Sequence, residues 1–237
     1  MTETNRLALP LLQPAQAQKH VTVNEALARL DGLVNLVLQS VTQAVPPGVA
    51  GDGVCYGVPV GAVNAWSGQE GKVAIGTNGG WVFATPGYGW RGFVADQGLQ
   101  VMHDGEDWVP GALTLSAHGA GLVAGLAEID HIVTGGDLSV TQAIIPAGAM
   151  VIGVSGRVTE AIAGTLSGWR LGNPGAEDRF GTGLGLSGGS WVRGMLSAPM
   201  TFYAPEPLVL SAEGGVFAGG GRVRLAVHYL QISLPGL

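Results

Sequence analysis

Gly185-Leu186-Ser187-Gly188-Gly189 has the G-x-S-x-G spacing of a nucleophile elbow, and Glu206 or Glu213 and then His228 follow in a hydrolase-like order. The elbow works because a strand-to-helix turn lifts the serine oxygen and aims backbone amides at an oxyanion. Residues 190–203 are rich in β formers and contain Pro199, so no helix is expected there and the spacing reads as a Gly-rich loop. The overlapping Gly183-Leu184-Gly185-Leu186-Ser187-Gly188 matches G-x-G-x-x-G, but a dinucleotide site needs that same missing helix. His103, Asp104, Glu106 and Asp107 gather oxygen and nitrogen acceptors on one turn. A calcium site needs six to eight oxygens from several segments, so this reads as a solvated turn. Glu177 and Asp178 could pair for glycoside cleavage only if they stood roughly 5–10 Å apart across a cleft. His20, His118, His131 and His228 show no ligand spacing. The expectation is a non-enzymatic protein with no catalytic residue, cofactor or metal.

Aromatic residues give a different chemistry. A flat ring stacks on the C–H face of a sugar, while amide, carboxylate and guanidinium groups meet its hydroxyls. Trp169, Arg170, Asn173, Asp178, Arg179, Trp191 and Arg193 gather these types around one Gly-rich region, a candidate glycan-binding set. The competing reading makes Trp169 and Trp191 inward-pointing strand residues.

These groups need elements to hold them. Thr22-Val23-Asn24-Glu25 has the form of a capping box and predicts a helix start. Val23, Leu27, Leu30, Val34, Val37 and Val41 then follow the 4-3-4-3-4 spacing of a helix seam, ended by Pro46-Pro47-Gly48. A lone helix this apolar must be covered, either by the β-rich remainder or by other copies of the chain. Before it runs an extended Pro- and Gln-rich arm. Leu9, Leu11, Leu12, Gln13, Gln16 and Gln18 of the arm, with the seam, are the candidate attachment and oligomer interface.

Beyond the helix the chain is β-prone. Gly79-Gly80, Pro86-Gly87 and Asp104-Gly105 each precede a tryptophan, punctuating a small module of short strands. Asp104-Gly105 predicts a type I′ hairpin turn between Val101 and Val109. Trp66, Trp81, Trp90 and Trp108 are expected to build that module's core, since so short a β unit needs bulky side chains. Longer strands follow. Leu138, Val140 and Ile144 alternate with Ser139, Thr141 and Ala143; Met150, Ile152, Val154 and Val158 alternate with Gly153, Ser155, Arg157 and Thr159. Val223, Leu225, Val227 and Tyr229 alternate with Arg222, Arg224, Ala226 and His228. Period-two alternation means one face buried and one wetted, as in antiparallel sheets. The fold class is mainly β: arm and helix over 1–45, a Trp/Gly-rich β module over 46–111, and an antiparallel, jelly-roll-like β-sandwich over 112–237.

Composition narrows the partners. Charged residues are 12% of 237, about half the usual share, and lysine occurs only at Lys19 and Lys72. A surface with so few charges suits an assembly. Net charge is −6 with no basic cluster, which disfavours nucleic acid. The single Cys55 excludes an internal disulfide. No run reaches the roughly 18 clean apolar residues of a membrane span, so no membrane association is expected. Leu7–Leu12 with Ala15-Gln16-Ala17 imitates a signal peptide, but Glu3 and Pro10 disrupt it, so cytoplasmic synthesis without a targeting segment is expected.

The run Leu9-Pro10, Gln13-Pro14-Ala15-Gln16-Ala17-Gln18-Lys19-His20-Val21-Thr22-Val23-Asn24-Glu25-Ala26-Leu27-Ala28-Arg29-Leu30-Asp31 resembles an uncharacterised-function domain of virion proteins in alphaproteobacterial prophages and gene transfer agents. Gly80-Trp81, Pro86, Gly89-Trp90, Asp104-Gly105 and Trp108 extend the similarity over roughly the first 110 residues. The resemblance implies a virion component made in the bacterial cytoplasm, such as the base of a head spike on a gene-transfer-agent capsid. Its implied partners are further copies of the chain, capsid and spike or fibre subunits, and host capsular polysaccharide. A tail-fibre or tail-tip adhesin binding glycan directly, and a polysaccharide- or ester-cleaving enzyme, are the alternatives.

Overall fold

The computed structural model describes residues 3–12 and 19–235, so Gln13, Gln16 and Gln18 lie outside the described residues. The chain forms two compact units, 1–121 with 234–237, and 122–233.

In the first unit the helix α1 is Lys19–Leu33, shorter at its C-terminal end than the seam spacing predicts. Thr22 lies within its first turns rather than at the cap, and Glu25 pairs with Arg29 at 2.8 Å instead of reaching back. Asn35 takes a positive φ of 50° and stops the helix. Val37 and Val41 therefore leave the seam. Val37–Leu38 form β1, and Val41 packs against the sheet core. The heptad spacing continues through this stretch, but β1 finds strand partners on both sides, and tertiary pairing outweighs local helix preference.

That pairing puts β1 at the centre of a seven-stranded sheet. Its neighbours are β2 (Cys55–Gly57) and β5 (Arg91–Val94), both parallel to it. β3 (Val73–Thr77) and β4 (Gly80–Ala84) extend one side, and β6 (Leu99–His103) and β7 (Trp108–Pro110) the other. β8 (Ala112–Leu115) follows. Val73, Ala74 and Ile75 of β3 are all fully buried, because apolar clusters cover both sheet faces. One cluster joins Leu36, Leu38, Cys55, Ile75, Val94 and Val101. The other is aromatic, with Trp66, Tyr56 and Trp81 in mutual contact at ring distances of 5.2–5.8 Å. Trp66 is fully buried, while Trp81, Trp90 and Trp108 are half-buried.

The type I′ turn sits at Asn78-Gly79, where both φ values are positive, and not at Asp104-Gly105. At the latter only Gly105 is left-handed. The Asp104 carboxylate there accepts the amides of Glu106 and Asp107 at 2.8 and 2.7 Å, and builds a longer loop.

The second unit is an eight-stranded jelly roll. Its strands are β9 (Gly121–Ile132), β10 (Leu138–Ile145), β11 (Ala149–Glu160), β12 (Gly168–Asn173), β13 (Ala176–Leu184), β14 (Trp191–Phe202), β15 (Glu206–Glu213) and β16 (Arg222–Ser233). Within this unit one sheet runs β14-β11-β16-β9 and the other β10-β15-β12-β13. Counted from β9, these orders are 6-3-8-1 and 2-7-4-5, the double Greek key of a jelly roll. Val151, Val154, Val158, Leu171, Phe180, Leu208, Leu210, Val223, Leu225 and Val227 fill its core.

Two strands depart from the simple alternation. On β10 the polar set faces inward, with Ser139 and Thr141 buried while Leu138 and Val140 are exposed. Those hydroxyls are satisfied: Ser139 pairs with His131 at 2.8 Å, and Thr141 accepts the Leu208 amide at 2.9 Å. On β11 a bulge between Val151 and Gly153 shifts the phase, buries Val151 and turns Ile152 outward. Gly194 allows close strand contact, since a Cβ there would stand 2.1 Å from the Phe180 carbonyl oxygen.

Among the described residues, His103 in the first unit and His131 in the second are buried. Burial lowers the pKa of both below the ordinary 6.5. His103 Nδ1 accepts the Gly105 amide at 3.1 Å and so carries no proton. An unfolded chain takes up these protons as pH falls through about 6.5, while the folded chain resists until lower pH. Stability is therefore full above 6.5 and declines below it. Urea midpoints at pH 5.5 should lie below those at pH 7.5 for both units, and His103→Asn with His131→Gln should flatten the difference. Equal midpoints in the parent chain would contradict this.

Candidate functional site

Two exposed faces, one in each unit, combine groups able to bind a partner. The first is on α1. Residues 3–12 do not form the expected extended arm; they wind against one face of the helix. Asp31, only 2% exposed, accepts from Thr4 Oγ1 at 2.8 Å, the Arg6 amide at 3.0 Å and the Leu7 amide at 2.5 Å. Two turns earlier on the same face, Asn24 pairs both ways with the Leu12 backbone at 2.9 and 3.0 Å. The Arg6 guanidinium donates to the carbonyls of Asp31, Gly32 and Asn35 at 2.7–3.0 Å, capping the helix C-terminus. Gly32 brings the helix down onto the sheet, since a Cβ there would stand 2.7 Å from Ile75 Cγ2.

With those faces occupied, the apolar seam is turned away. Val23, Leu30 and Val34 are exposed at 40%, 47% and 38%, and Leu27 is half-buried. Leu7, Leu12 and Val21 add exposed apolar surface, while Leu9 and Leu11 are half-buried. Among the described residues, three of the six predicted seam residues are thus exposed along one stripe with Leu27 half-buried between them, and Val37 and Val41 belong to the sheet. Asp31 and Arg6 were not legible as partners, because their link spans 25 residues and no local pattern marks it.

The second face is the outer surface of the β14-β11-β16-β9 sheet. Trp191 is 64% exposed, with the Arg193 guanidinium 5.9 Å from its ring centre. Arg157 lies directly across from Trp191 on β11 and across from Arg224 on β16. Arg224 donates to both carboxylate oxygens of Asp130 at 2.7 and 2.8 Å, which holds the Asp130 carboxyl below its usual range. Ser155 Oγ and His228 Nε2 are 2.8 Å apart on the same face. A shallow depression of about 270 Å³ is lined by Glu128, Ser155, Arg157, Trp191, Arg193 and Arg224.

The predicted glycan set is therefore divided. Trp169 is 2% exposed, belongs to the core and donates its Nε1–H to the Gly185 carbonyl at 3.0 Å, so it presents no stacking face. Asn173 is buried between Glu206, at 3.0 Å from its amide nitrogen, and Arg179, which donates to its oxygen at 2.6 Å. Arg170 lies 3.8 Å from both Glu177 and Glu213 on the other sheet. Asp178 is exposed on β13. The inward turn of β12 residues 169, 171 and 173 follows from period-two geometry. Of the set, Trp191 and Arg193 reach the depression, joined from outside the set by Arg157 and Ser155.

The chemistry suggested by motif spacing is not assembled. The strand β14 follows Ser187, so there is no elbow helix. His228 meets Ser155, Glu206 meets Asn173, and Glu213 accepts the Gly183 amide. Among the described residues, no helix is long and apolar enough to cross a membrane. Cys55 is fully buried, and burial pushes its thiol up to about 11.

No curated protein matches the chain. Among solved structures it is similar to a chain described as "Cyanophage Pam1 capsid asymmetric unit", at TM-score 0.32 and 19% identity, covering 50% of this chain and 92% of that one. So low a score carries no inference. Residues 23–109 match the model of a family described as Protein of unknown function (DUF2793).

Proposed function

We propose that the chain is a non-enzymatic structural component of a phage-like particle, attached through α1 and carrying a jelly roll. The observation that carries this reading is the stripe of Val23, Leu27, Leu30 and Val34. Val23, Leu30 and Val34 remain exposed among the described residues, with Leu27 half-buried between them, although the adjacent helix face is held by Asn24 and Asp31. Aligned apolar residues on one helix face are an interaction surface when the chain's own unit does not bury them. The eight-stranded jelly roll is an architecture shared by viral capsid and lectin domains, which fits a particle component. The finer role, in line with the resemblance of the first 110 residues, is the base of a head spike on a gene-transfer-agent or phage-like capsid. There, copies of the chain meet each other and capsid or spike subunits, and the assembly supports attachment to capsular polysaccharide. The test is co-purification of the full chain with particles, and its loss when the stripe is made polar.

A second reading, direct contact with glycan as an adhesin, is favoured by the exposed Trp191 beside guanidinium, hydroxyl and carboxylate groups. Nothing comparable favours hydrolysis, because Ser187 and His228 have separate surroundings.

A further inference from the structure

We propose that the outer face of the β14-β11-β16-β9 sheet binds a carboxylated saccharide, with Trp191 stacking on the sugar ring and Arg193 and Arg157 receiving its carboxylate. This rests on the second reading, direct glycan contact, and not on attachment through the helix.

Three guanidiniums border the depression, and they are not equivalent. Arg224 is committed in bidentate fashion to Asp130. Arg193 lies over the Trp191 ring, and Arg157 makes one long contact, 3.4 Å, to the Gly189 carbonyl. Neither forms an ion pair with a carboxylate among the described residues. A guanidinium held over an indole face at this distance makes no hydrogen bond to the ring, and two guanidinium N–H donors match the two oxygens of a carboxylate. A neutral sugar would leave both without a counterpart.

The remaining lining suits the rest of a sugar. Ser155 and Glu128 offer partners for hydroxyls, and more than half of the Trp191 surface stays open for a C–H face. The volume, about 270 Å³, lies just below the usual range for drug-sized ligands and fits a single sugar unit of a chain passing over an open face. The overall charge of −6 works against non-specific capture of any polyanion, so recognition must be local to this site.

The test uses the full chain and short polygalacturonate and alginate oligosaccharides, followed by titration calorimetry. Both probes should bind, and carboxyl-reduced polygalacturonate should bind at least tenfold more weakly. Trp191→Ala and the pair Arg157→Gln with Arg193→Gln should each weaken binding at least tenfold, with unchanged circular dichroism. Absence of binding, equal affinity for the carboxyl-reduced chain, or affinity unaltered by these exposed-site substitutions would overturn the proposal. Equal affinity for dextran sulfate or a single-stranded oligonucleotide would also overturn it, by replacing sugar recognition with simple anion capture. Particle association, measured separately with the helix variants, reports on the structural reading and is not expected to move with Trp191→Ala.

Discussion

Val23→Glu with Leu30→Glu should leave the chain folded and remove it from purified particles. Both positions are exposed in their own unit, and surface changes of this kind usually shift stability by no more than about 0.5 kcal/mol. Glutamate is also a better helix former than valine. The cost falls on the partner. Two carboxylates forced into an apolar contact lack counter-charges, and each should cost about 2 kcal/mol or more, together roughly a 1,000-fold loss of association. Incorporation is read by quantifying the chain against a capsid protein in purified particles. Parent-level incorporation of the double variant would mean that attachment does not use this face.

Asp31→Ala should destabilise the first unit by about 3 kcal/mol. Its carboxylate accepts three hydrogen bonds from residues 4, 6 and 7, and such bonds to a charged group are each worth about 1.5–3 kcal/mol, less whatever water recovers after the loop opens. The effect should extend beyond the loop. Once released, the backbone no longer holds Arg6 over the carbonyls of Gly32 and Asn35, so the end of α1 loses its cap. Amides of residues 6 and 7 should exchange with solvent far faster in the variant, and the second unit should unfold at an unchanged urea midpoint. Asp31→Asn should fall between, since it keeps one acceptor oxygen but sets its NH₂ against the Arg6 amide. A variant as stable as the parent would show that the loop contributes nothing to the unit.

Most of the jelly roll was legible because its strands carry period two. Val223, Leu225 and Val227 face the core, and Arg222, Arg224 and His228 face outward, as alternation requires. The failures have local causes. A bulge at residues 151–153 shifted β11 by one position, and internal hydrogen bonds let Ser139 and Thr141 replace leucine and valine on the inner face of β10. The helix end was missed for a different reason. Val37 and Val41 continue the heptad spacing, and nothing nearby reveals that residues 55 and 93–94 will pair with β1. Trp169 and Trp191 look alike in sequence, each within two residues of an arginine in a β-prone run. Only strand phase decides that the first enters the core and the second meets solvent.

The α1 stripe can be interrogated residue by residue, because the native thiol is silent: Cys55 is fully buried, and its pKa, about 11, keeps it protonated near neutrality. Leu30→Cys and Tyr203→Cys place single reactive thiols at 47% and 90% exposed positions, one on the helix and one on the jelly roll. Maleimide labelling of purified protein and of purified particles compares the two states. Both thiols should react readily in the free chain; in particles, Cys at 30 should be at least tenfold protected while Cys at 203 stays reactive. A thiol at position 30 that labels as fast in particles as in solution would contradict burial of this helix face by a partner.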